Sequence, residues 1–155
     1  MKQFLLLPLL ALTLACLTAN AQQLDFGDHA SATITTKAWE ALNSKNYDNA
    51  VGYAKKCVEM YEKQAVEMQK GLKEPVTGDK EAVAKMWALN DVGTCLFIIG
   101  QALEKQEKAK DALAAYKQLV EKVPFAQCWD TKGWFWKPAD GAKTRIKALE
   151  FDTLK

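Results

Sequence analysis

Residues 96–124 read LFIIGQALEKQEKAKDALAAYKQLVEKVP. The first four are apolar whichever way a helix turns, so they belong to a helix covered on all sides. Beyond the charged EKQEK, small and apolar residues recur at spacings of three and four: Ala109, Ala112, Leu113, Tyr116, Leu119, Val120 and Val123. That period marks one face of an amphipathic helix, expected over about residues 107–122, and Pro124 ends it. Two helices joined by a short polar turn form an antiparallel pair. The stretch therefore sets the fold class as all-α.

Toward the N-terminus, the buried helix is expected to start at Asp79, a capping side chain, with Glu81 in its first turn. It is expected to run to about Gln106 through Val83, Trp87, Val92, Leu96, Ile99 and Leu103. Gly93 and Gly100 lie inside it. Each costs about 1 kcal/mol in a helix interior relative to Ala, so neighbouring helices are expected to approach closely there. Pro75 and Gly78 mark a loop. Before it, Tyr47, Ala50, Val51, Ala54, Cys57, Val58 and Tyr61 form another helical stripe, continued by Ala65 and Met68 to about Lys70, where Gly71 stops it. A polar break at residues 43–46 separates this from a helix capped by Ser31 and reaching about Lys45, with Ile34, Ala38, Trp39 and Leu42 inward.

Toward the C-terminus, residues 125–137 (FAQCWDTKGWFWK) read as an aromatic connector. Pro138 suits the first turn of a closing helix over 138–152, with Asp140 near its start and Ala142, Ile146 and Leu149 inward. These elements make about five helices in a single domain over residues 31–155, with an extended hairpin across 62–90 and the last helix as a cap.

The chain opens MKQFLLLPLLALTLACLTANAQQ. Lys2, an apolar run over residues 4–17 broken only by Pro8 and Thr13, and the small pair Ala19 and Ala21 have the order of a secretory signal peptide spanning residues 1–21. The run is short for a retained membrane anchor. Lipid attachment at Cys16 is the less favoured alternative, because Thr13 stands where such a motif usually has Leu. The expectation is export, periplasmic or secreted, with no membrane segment after cleavage. Residues 22–30 are polar and expected to be a loose, flexible N-terminal segment.

The formal charge is +2, from 21 basic and 19 acidic residues, and Arg145 is the single arginine. Acids and bases alternate as on solvated helix faces, without the basic stripe of a nucleic-acid partner. No Gly-rich phosphate loop, CxxC or HExxH occurs, and no cofactor motif. His29 is the one histidine, so there is no His pair for a metal. Nothing in the chain assembles a catalytic constellation, and a non-enzymatic role is expected.

Residues 46–61 (NYDNAVGYAKKCVEMY) lay onto residues 108–123 (KAKDALAAYKQLVEKV) at an offset of 62: Ala50 on Ala112, Val51 on Leu113, Val58 on Val120, Glu59 on Glu121. Such self-similarity is the mark of a repeated helix pair. Leu96, Ile99-Gly100, Ala112, Tyr116 and Pro124 together resemble the tetratricopeptide-repeat (TPR) family, with a weaker match over residues 34–60 through Tyr47 and Ala50. That family has a period of 34 residues, so the offset implies an insertion around residues 71–79. The resemblance implies a right-handed array of antiparallel helical hairpins, a TPR-like α-solenoid fragment. It also implies a scaffold role toward a protein or peptide partner. It implies no activity.

Three features carry candidate chemistry. Cys57 and Cys95 stand eighteen residues before and twenty after Pro75, nearly level in an antiparallel hairpin, so they are either a structural disulfide or two buried thiols. Cys128 is left over. Trp129, Trp134, Phe135 and Trp136 crowd into eight residues. They read as a plug over the end of the array, where Trp87 is at the height to meet Trp129; as a surface for a peptide or for stacking carbohydrate or cell-wall sugars; or as a mixture. Asp91 interrupts an apolar helix face beside Asn90, where a carboxylate pairs with a lysine or borders a groove. Trp39, Asn90 and Asp91 are the expected groove residues, with Trp129, Trp134 and Trp136 as the aromatic surface.

Overall fold

The computed structural model describes residues 23–130 and 132–152; the signal-peptide reading and Cys16 lie outside the described residues. Six helices and one short hairpin follow in order: α1 (Ser31–Asn43), α2 (Tyr47–Lys70), α3 (Lys80–Ala84), α4 (Trp87–Lys105), α5 (Ala109–Lys122), β1 (Cys128–Trp129), β2 (Phe135–Trp136) and α6 (Pro138–Asp152). The class is all-α. No described helix is long and apolar enough to cross a membrane.

The helix around residues 96–99 is the centre, as its all-round apolarity requires. α4 packs against α1, α2, α5 and α6. Leu89, Val92, Leu96 and Ile98 are among its buried side chains, facing Ile34 of α1, Cys57 of α2 and Leu119 of α5 within one core. Both interior glycines sit at close approaches. A β-carbon on Gly93 would overlap the Ala126 methyl, and one on Gly100 would overlap the Tyr116 ring. α5 and the chain beyond it thus press directly onto the α4 backbone.

The α1–α2 and α4–α5 turns are the same turn, 62 residues apart. Lys45 and Glu107 both take φ 61°. Asn46 N–H donates to the Ala41 carbonyl, and Lys108 N–H to the Leu103 carbonyl, each at 2.9 Å. Lys45 N–H reaches Leu42 and Glu107 N–H reaches Glu104. This pair of bonds closes a helix whose next residue is left-handed, a role more often filled by glycine.

Four expectations change. The long helix predicted from Asp79 to Gln106 is two helices. Asp79 does cap the first, accepting from Ala82 N–H at 2.8 Å, but the chain breaks at Lys85 and Met86. There the Asn90 amide donates to the Val83 carbonyl at 2.9 Å, a side-chain bond that takes up a carbonyl at the end of α3. The N-cap of α1 is Ala30, with no side-chain bond, rather than Ser31, whose hydroxyl turns to α4. The aromatic connector contains an antiparallel pair, Cys128 opposite Trp136 and Trp129 opposite Phe135. Finally, residues 23–30 have anchors that their polarity hides. Phe26 meets the Tyr53 ring edge-on at 5.7 Å, and the Tyr61 hydroxyl donates to the His29 carbonyl at 2.8 Å.

Candidate functional site

On α1, Ala32, Thr35, Thr36 and Trp39 follow the i, i+3, i+4, i+7 spacing that puts residues on one helix face. On α4, Trp87, Asp91 and Thr94 do the same. These two faces, with Lys80 and Ala84 of α3 and Cys128, Trp129 and Phe135 of the hairpin, line one open cavity of about 390 Å³. The groove therefore draws on four separate stretches of chain.

Its walls are cross-tied. Asn90 bridges two of them, donating to Val83 and accepting from Gln127 N–H at 2.9 Å. The Gln127 side-chain amide donates onward to the Val76 carbonyl at 2.8 Å. Trp87 rests edge-on against Tyr61 at 5.5 Å, and Trp129 against Phe135 at 4.9 Å. Each indole is thus in contact with a second ring yet stays 40% exposed.

Asp91 is the unusual member. Its carboxylate accepts from the Ser31 hydroxyl and has no cation within ion-pair distance among the described residues. Burial pushes its pKa up, and the Ser31 bond only partly opposes that. Glu62 and Glu104, which also pack between helices, are treated differently: Lys122 pairs with the first at 2.7 Å and Arg145 with the second. At the rim, the Lys80 ammonium stands 4.6 Å from the centre of the Trp129 ring, a cation–π contact.

Of the residues singled out in the sequence, Trp39, Asn90, Asp91 and Trp129 come together here. Asn90 is used up in holding the walls. Trp134 and Trp136 are elsewhere. Trp136 packs edge-on against Phe97 at 5.1 Å and lies half-buried against the core, while Trp134 is 50% exposed with Lys132 over its ring at 5.9 Å. The connector is thus a mixture, with one indole plugging the bundle and two facing out. Alternation accounts for two of the three: Trp129, opposite Phe135, is on one face of the hairpin and Trp136, opposite Cys128, on the other, while Trp134 precedes β2.

Trp87 was assigned to the buried stripe and belongs to the groove; its place four residues before Asp91 was the available signal. Ser31 and Lys80 carried none, because only folding brings them to the groove. Cys57 and Cys95 meet as the hairpin argument requires, with the Thr35 hydroxyl 3.6 Å from one sulfur and 3.3 Å from the other. In the structure both are buried free thiols that share the Thr35 hydroxyl as a polar neighbour. Burial, and then the neighbouring Cys57, pushes the Cys95 thiol well up. Cys128 is half-buried and free.

No family model, curated protein or solved structure matches this chain.

Proposed function

We propose that this chain is an exported, non-catalytic interaction module built of TPR-like hairpins, and that the groove between α1, α4 and the β1–β2 hairpin binds a segment of a peptide or protein partner. One observation carries the reading. Trp39, Trp87 and Trp129, from three distant parts of the chain, line a single open cavity whose walls are hydrogen-bonded together. Exposed indoles in a preformed cleft supply large contact area at little ordering cost, the composition of binding hot spots. The repeated turns at Lys45 and Glu107 favour the hairpin-array reading, and the apolar N-terminal run favours export.

A displayed library of random peptides panned on the chain without residues 1–21 tests the groove. Enriched peptides should lose binding to Trp39→Ala and Trp129→Ala while keeping it to Trp134→Ala. Enrichment indifferent to Trp39 and Trp129 would overturn the reading. So would failure of all peptides alongside a fluorescence response to oligosaccharides that Trp134→Ala removes, which would move the function to sugar stacking on the exposed face of the hairpin.

A further inference from the structure

We infer that the groove recognises a basic side chain: its occupant is a peptide segment presenting a lysine or arginine, with the charged end on Asp91 and the stem against the indoles of Trp39 and Trp87. This rests on the peptide-groove reading and adds the chemistry of the occupant.

The argument is one of charge complementarity. A carboxylate taken partly out of water needs a counter-charge or several donors. This protein supplies cations to Glu62 and Glu104 from adjacent helices, but among the described residues it gives Asp91 a single neutral hydroxyl. The missing counter-charge is on the side that the cavity opens. A neutral or anionic occupant would deepen the desolvation of Asp91 without compensation. A cation would relieve it.

The aromatic lining selects the same class. Indole faces attract ammonium and guanidinium groups, and the long apolar stems of lysine and arginine pack along them. Trp129 already holds such a group from its own chain, the Lys80 ammonium. Lys80 thus marks the rim indole as a cation site and also competes for it. Among the described residues it is the one cationic residue lining the groove.

The test uses an array of acetylated, amidated hexapeptides with randomised positions, probed with the chain lacking residues 1–21 and with three variants. Wild type should favour lysine or arginine at one position. Asp91→Asn, which keeps an acceptor for Ser31, should weaken the basic peptides on the order of tenfold and erase the preference. Trp39→Ala should lose basic and neutral peptides alike. Lys80→Met should retain or tighten basic peptides. A basic preference that survives in Asp91→Asn, or binders with no basic preference, would overturn this inference and leave the groove reading standing. Weaker binding by Lys80→Met would make Lys80 a ligand contact and the ligand an anion, with the same consequence. No binding by any peptide would remove the groove reading itself. Unchanged helical circular dichroism in each variant shows that loss of binding is not loss of fold.

Discussion

The Ser31 hydroxyl donates its hydrogen bond to the Asp91 carboxylate, tying the first turn of α1 to α4 across sixty residues of chain. Ser31 is 4% exposed, so the bond is shielded at its donor end. A residue suited to capping its own helix has been diverted to a neighbour's acid. The local cap is lost, and the two groove-forming helices are held in register.

Asp91 should be a stability liability above the carboxylate range. Its folded pKa is raised above the ordinary 3.8 by burial, so the unfolded chain releases this proton first as pH rises. The unfavourable contribution is therefore absent below the ordinary value and full above the raised one. Asp91→Asn is expected to raise the melting temperature by a few degrees at pH 7. The gain should vanish when melting is repeated at progressively lower pH. An equal gain at every pH would assign the effect to something other than the charge.

Glu104 should behave in the opposite sense. Burial raises its pKa, but bonds from Arg145 and from the Tyr116 hydroxyl, at 2.6 Å, outweigh that and hold it below the usual range. The stability it lends is present above the unfolded value and is lost as pH falls through the folded one. Arg145→Met removes the charge partner and should cost about 1–3 kcal/mol at pH 7. In urea titrations that difference from wild type should shrink under acid.

The turn residues Lys45 and Glu107 hold φ 61° without being glycine. A left-handed backbone costs a residue with a β-carbon about 1–2 kcal/mol, partly offset by the greater freedom glycine has when unfolded. Glu107→Gly should therefore stabilise the chain by about 0.5–1 kcal/mol, read as a higher urea midpoint at unchanged slope. Both residues are exposed, and lost packing does not complicate the comparison.

The tryptophans of the connector should separate cleanly. Trp136→Ala removes a ring packed on Phe97 and the core, and a loss of about 3–5 kcal/mol is expected. Trp134→Ala, at a half-exposed site, should stay within about 0.5 kcal/mol of wild type. Chemical denaturation of the two variants measures both. Comparable losses would mean that Trp134 is buried in solution.

The thiols should also divide. Cys57 and Cys95 are fully buried, and burial disfavours the reactive thiolate of Cys95. Half-buried Cys128 lines the groove. For the chain lacking residues 1–21, and so without Cys16, one fast and two slow sites are expected with an aromatic disulfide reagent under native conditions, and three fast sites in denaturant. Intact mass before and after reduction should be the same. A two-dalton gain on reduction would establish an internal bond.

The amino-acid sequence by itself determined the helical class and the centre of the bundle, but not the break between α3 and α4. Apolar period, capping residues and prolines are local signals: Asp79, Gly71, Pro124 and Pro138 punctuate where expected, whereas Ser31 does not cap α1. The two glycines of α4 even disclosed which backbone its neighbours press upon. Tertiary structure alone decided the site. Whether Trp136 turns inward and Trp129 outward depends on the register of a hairpin two residues wide. Whether Asp91 finds a cation depends on which side chains α1 and α3 bring within reach, and no spacing along one helix encodes that. Periodicity records which face of an element is covered. It does not record what covers it, and a groove is the place where the covering stops.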